Sequence, residues 1–161
     1  MIEYFRHEVL NQISVISGFC EIIEHQLLKY GYTENDPFSL SLKKVRQLVG
    51  NFHSTLMAFR EGCVLQDVTE TIIMNANPAD SIEPYLTPEC RVQYEVLLRI
   101  AEALNGEAMV MRKSSSASEK MTERSAFVES SAERLLELFR HPVAYLQETL
   151  KLHHQNESNL H

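Results

Sequence analysis

His7, Glu8 and Asn11 are the residues of this 161-residue chain best arranged to do chemistry. They open an amphipathic run, Arg6-His7-Glu8-Val9-Leu10-Asn11, whose apolar positions continue as Ile13, Ile16, Cys20, Ile23 and Leu27. At roughly 100° per residue, Val9 and those five fall within about 40° of one direction, whereas His7, Asn11, Ser14, Gly18, Glu21 and His25 point about 180° away. A histidine on the wet face, with an acid directly after it, an amide one turn on and only Ser and Gly beyond, suits a nucleophile that a second protein must reach. An imidazole is partly neutral near neutral pH, so a free ring nitrogen can attack phosphorus. The plain alternatives are a solvated surface histidine, a favourable acid in the first turn of a helix and an exposed polar Asn.

The elements that must hold these residues are helices. The stripe from Val9 to Leu27 steps by 4, 3, 4, 3, 4, a bundle or coiled-coil seam. It predicts a first helix from about Glu3 to Lys29, ending at Tyr30-Gly31. Asp36 as N-cap and Pro37 at the first helical position start a second helix. Its seam is Phe38, Leu42, Val45, Val49, Phe52, Leu56 and Phe59, with Gly62 as a stop. Two matching seams with a short connection fold back as an antiparallel hairpin that sets His7 level with about Thr55 to Phe59. One hairpin leaves both flanks of its stripes bare. A twofold pair of hairpins forming a four-helix bundle covers them, and packing against the chain's own C-terminal helices is the competing solution.

Beyond residue 62 the pattern predicts a helix around Asp67 to Asn75 and a second from Thr87-Pro88 to about Leu104, closed by Asn105-Gly106. Glu107 to Arg112 reads as a short strand or part of a connection, and Ser114 to Ser118 as a flexible joint or loop. Ser116 and Glu119 have capping-box spacing for a last long helix with the stripe Val128, Ala132, Leu135, Phe139, Val143, Leu146 and Leu150. Pro142 must kink or interrupt that helix, and the tail from His153 onward reads as polar and frayed. The expected fold is therefore all-α: a hairpin over residues 1–62 that dimerises into a four-helix bundle, and a mainly helical C-terminal extension over 63–161.

Composition narrows the function. The net charge of −7 argues against a nucleic-acid surface. No apolar run reaches the roughly 18 residues that span a bilayer. Cys20, Cys63 and Cys90 form no Cys-x-x-Cys, and Cys20 falls in the apolar stripe, which fits a small buried hydrophobe in a reducing cytosol. The five glycines are scattered, with no Gly-x-Gly to let backbone approach a triphosphate. The chain is not expected to phosphorylate itself from ATP. His-Glu-x-x-Asn lacks the second histidine of the zinc-protease pattern, and no metal site is expected.

His7-Glu8-x-x-Asn11 followed by Ile13-Ser14-x-Ile16-Ser17-Gly18 resembles the phospho-accepting box of two-component histidine kinases, in their dimerisation and histidine-phosphotransfer domain. The likeness covers roughly residues 3–62. It implies His7 as phosphoryl carrier, Glu8 as acid/base and Asn11 as the residue that positions water for phosphatase chemistry. Degenerate relatives without an ATP-binding domain, such as sporulation-type phosphotransferases, read Arg-His-acid-x-x-Asn and are the nearest functional analogy. The resemblance implies a cytoplasmic, homodimeric module that exchanges a phosphoryl group with a receiver aspartate. It has no cofactor of its own, since Mg²⁺ is carried by the receiver. Ser14 and Gly18 are the expected docking residues. Lys43, Lys44 and Arg46 complement an acidic partner, or are simply a solvated charge run. The alternative is a non-catalytic, kinase-derived adaptor or inhibitor that binds a receiver or a histidine kinase. A third reading, a fragment of a larger sensor, follows from the short lead of six residues before His7.

Overall fold

Stripes spaced four and three residues apart become the buried faces of helices. The computed structural model describes residues 2–59 and 70–160, with side chains from residue 5 onward. Among these residues the fold is all-α, without strands: α1 (Ile2–Gln26), α2 (Pro37–Ala58), α3 (Glu70–Asn75), α4 (Pro88–Lys113), α5 (Glu119–Arg140) and α6 (Pro142–Asn159), with one 3-10 turn at Glu83–Tyr85. The expected stop at Gly62, the start of the helix at Asp67 and Cys63 lie outside the described residues.

The second helix starts where its cap and proline require, whereas α1 ends at Gln26, three residues short of the expected Lys29, with Leu27 already in the turn. Gly31 turns the chain after α1 with φ +83°, a left-handed conformation that glycine adopts without a Cβ clash. Tyr32 N–H then donates to the Leu27 carbonyl at 2.9 Å. Asp36 is extended and Pro37 opens α2. The Asp36 carboxylate serves the preceding turn instead of the helix, accepting from the Thr33 N–H at 2.6 Å.

Three expectations for the second half are corrected. The helix that opens at Pro88 does not close at Asn105-Gly106, and residues 107–112 form neither strand nor connection; α4 runs unbroken to Lys113. Leu97, Ala101, Leu104, Ala108 and Met111 make one buried stripe across that point, and its packing outweighs the roughly 1 kcal/mol cost of a mid-helix glycine. The serine run does form a loop, of its two expected forms, and it is held as a turn: Ser115 is buried, and its carbonyl accepts from the Tyr32 hydroxyl and from Thr122 Oγ1, each at 2.9 Å. The cap of α5 is Ser118, whose hydroxyl accepts from Met121 N–H, and Ser116 takes no part in it. Pro142 does interrupt the last helix. The residues after it form α6, which stays helical beyond His153 to Asn159.

Four helices close a bundle within the single chain. α1 packs on α5 and α2, and α4 packs on α2 and α5. Side-chain pairs show neighbouring helices running antiparallel. Arg6 meets Met57 and Glu24 meets Arg46 between α1 and α2, and Phe5 meets Phe139 while Phe19 meets Phe127 between α1 and α5. The flanks that prompted a second copy are thus covered by α4 and α5, and one core runs from Phe5 to Leu150. α6 lies beside α1, α3 and α5. Its Gln147 side-chain amide donates to the carbonyls of Ile73 at 2.8 Å and Ala76 at 2.7 Å; the first also accepts from the Ala76 N–H at 3.2 Å, and together these bonds tie the end of α3 to α6.

Burial also makes the fold alkali-sensitive. Burial pushes the Cys20 thiol from 9.0 up to about 12, against a weaker opposing pull from Arg46. Desolvation raises the Tyr94 hydroxyl well above 10.0, and it donates to the Phe139 carbonyl. Both groups keep their protons longer when folded, so this stability is complete below the unfolded-state values and declines as pH rises through the folded ones. Urea unfolding should therefore show stability falling from pH 9 upward, by at most about 1.4 kcal/mol per pH unit for each group. Cys20→Ala should flatten the first part of that decline.

Candidate functional site

His7 lies on the second turn of α1, and its position is set by Phe5. That ring is buried against Phe139, with centroids 5.2 Å apart, and against Tyr145 at 6.3 Å. The start of α1 is therefore anchored in the core. His7, Asn11, Ser14 and Gly18 are all exposed on the face opposite Val9, Ile13, Ile16, Cys20 and Ile23, which are buried. The contact of Arg6 Nη2 with Met57 Sδ at 3.7 Å sets this part of α1 level with the end of α2, as the hairpin geometry predicts.

The two neighbours of His7 reach to opposite sides. Arg6 turns toward α2 and is half-buried, and its Nε finds no hydrogen-bond partner among the described residues. Glu8 turns toward α5: it accepts from Gln12 Nε2 at 3.1 Å, and Arg134 Nε lies 4.0 Å away. The Arg134 guanidinium in turn sits over the Tyr145 ring, 5.8 Å from its centroid. Glu8 is thus engaged along α5, and a role as proton acceptor at His7 requires it to turn away from Gln12.

Along the same outer face, Val15 is 39% exposed and Ile22 45%. Phe127 of α5 is 50% exposed and stacks on Phe19 with centroids 5.0 Å apart and planes 8° from parallel. These three side chains leave apolar area in water farther along α1 from His7. Gly18 lies among these residues, and a Cβ built there meets no other atom within 4 Å. Among the described residues nothing requires a glycine at that position.

Lys43, Lys44 and Arg46 are exposed on α2, and Arg46 pairs with Glu24. Among the described residues no group of three or more His, Cys, Asp or Glu is arranged to hold a metal ion. None of the described helices is long and apolar enough to cross a membrane. Sequence reasoning missed Phe5, Gln12, Phe127 and Arg134. The last two are distant in the chain from His7 and are placed beside α1 by tertiary packing that no local spacing announces; Gln12 alone had a local signal, four residues after Glu8.

Comparison with known protein families, with characterised proteins and with solved structures finds no match.

Proposed function

We propose that the protein is a cytoplasmic histidine phosphotransfer module that exchanges a phosphoryl group with a receiver aspartate through His7, and that Asn11 supports dephosphorylation of the receiver. The observation that carries this reading is the exposure of His7, Asn11, Ser14 and Gly18 together on one solvent face of a bundle helix. In the forward step a neutral imidazole nitrogen forms the N–P bond while the acyl-phosphate P–O bond breaks, leaving the receiver's carboxylate. The divalent ion bound by the receiver would neutralise the phosphoryl oxygens. The bundle is closed within the chain, so the reading does not depend on a second copy.

The test is incubation with a receiver carrying labelled aspartyl phosphate, following acid-labile label on this chain. Transfer is expected on the wild type. Asn11→Ala should keep that transfer and slow the release of inorganic phosphate. A complex that forms with neither transfer nor loss of label would overturn the proposal in favour of a non-catalytic adaptor, which the apolar area at Val15, Ile22 and Phe127 would also serve.

Gly18 separates docking from folding. Gly18→Gln removes a poor helix former from an open surface, so the variant should be more stable than wild type by up to about 1 kcal/mol. The added side chain should nonetheless slow phosphoryl exchange about tenfold or more by holding the receiver off His7. A urea titration and a transfer time course on the same preparation check both halves.

A further inference from the structure

A cleft of about 280 Å³ runs between α1 and α2, on the side of α1 away from Phe127. Its floor is apolar, made by Ile13 and Cys20 of α1 and Val49 of α2, all buried. The Cys20 thiol stays protonated at neutral pH, so the floor carries no charge. Ser17 and Gly50 form the low walls, and the exposed side chains of Arg46 and His53 reach the rim.

Two further observations mark the cleft as space for a ligand. α1 packs less closely on α2 than on α5, while α2 packs closely on α4, so this seam is the loose side of the bundle. Gly50 sits mid-helix, where glycine is a poor helix former, yet a Cβ there would meet nothing within 4 Å. The chain thus leaves open a volume that an ordinary side chain could fill.

Charge and size define the occupant. Arg46 is paired with Glu24, but both side chains are about half exposed (44% and 52%), so an incoming carboxylate can take Glu24's place at little cost. The volume lies just below the roughly 300–1,000 Å³ of sites for drug-sized ligands, which favours a slim ligand over a ring system. From Ile13 to Cys20 the helix axis advances about 10 Å, close to the length of an extended octanoate. We propose that the cleft binds a free medium-chain carboxylate, with its head group on Arg46 at the Cys20 end and its alkyl chain running over Cys20, Val49 and Ile13 toward His53. This site is independent of the phosphotransfer reading, and His7→Gln should leave it unchanged.

Octanoate and the neutral control octanol, titrated into the full chain and followed by amide chemical shifts, test it. Saturable shifts confined to Ile13, Ser17, Val49 and Gly50 are expected, together with a raised melting temperature. Arg46→Gln should weaken octanoate about fivefold to tenfold and leave octanol unaffected. Glu24→Gln should tighten octanoate a few-fold by freeing Arg46. Gly50→Leu should fill the cleft, abolishing the binding of both ligands while the melting temperature without ligand stays level or rises. Shifts that do not saturate, that spread over the whole surface, or that persist in Gly50→Leu would overturn the proposal. So would an equal loss of octanoate and octanol in Arg46→Gln.

Discussion

His7→Gln will take up no acid-labile phosphate from a phosphorylated receiver, a loss of at least about a hundredfold against wild type. Glutamine keeps the length and polarity of the side chain but offers no nucleophilic nitrogen, because its amide lone pair is delocalised into the carbonyl. The substitution should not disturb the fold, since His7 is exposed and no hydrogen bond or ion pair among the described residues depends on it. Unchanged helicity and an unchanged urea midpoint would show that the loss is chemical. Label on the variant at the wild-type rate would remove His7 as phosphoryl carrier. If receiver dephosphorylation survives in His7→Gln but fails in Asn11→Ala, the module is a phosphatase first and a carrier second.

Phe139→Ala should be the most damaging single truncation, at about 3–5 kcal/mol. Phe139 is buried and meets three other rings: Phe5 of α1 at 5.2 Å, Phe52 of α2 at 5.5 Å and Tyr94 of α4 at 5.2 Å. One side chain on α5 therefore touches all three of the other bundle helices. Removing it leaves a cavity where edge-to-face pairs add to simple burial. Against a typical total of about 5–15 kcal/mol, the loss takes much of the fold's margin. Chemical denaturation followed by circular dichroism measures it. Phe127→Ala is the control: half-exposed and stacked on one ring, it should cost about 1 kcal/mol or less. Equal losses for the two would show that Phe139 is not the hub of the core.

The stripes of α1 and α2 were legible because a 4-3 repeat and a cap followed by proline are local properties. The wet placement of His7 follows from the same arithmetic. What covers the stripes was not legible. Val9, Ile13 and Ile16 would repeat identically whether a second copy or α4 and α5 lay against them, since periodicity reports that a face is buried and not by what. Asn105-Gly106 misled for a related reason. Its local preference for a helix end is worth about 1 kcal/mol, less than the burial of Ala108 and Met111 just beyond it. Ser116 and Ser118 both offer a hydroxyl near the start of α5, and only the turn built around Ser115 selects the second. The surroundings of His7 were half legible: Glu8 and Asn11 are its chain neighbours, whereas Arg134 and Phe127 come from a helix that begins over a hundred residues later.

The order of helices around the bundle has a consequence for biosynthesis. During vectorial translation α1 and α2 leave the ribosome first, loosely joined, with the faces destined for α4 and α5 bare. They must wait until Phe139 has cleared the exit tunnel, because that ring closes the circle between the earliest and the latest of the four. For that interval the nascent chain displays two long apolar strips, a natural substrate for holdase chaperones and a window for misassembly between polysomal neighbours.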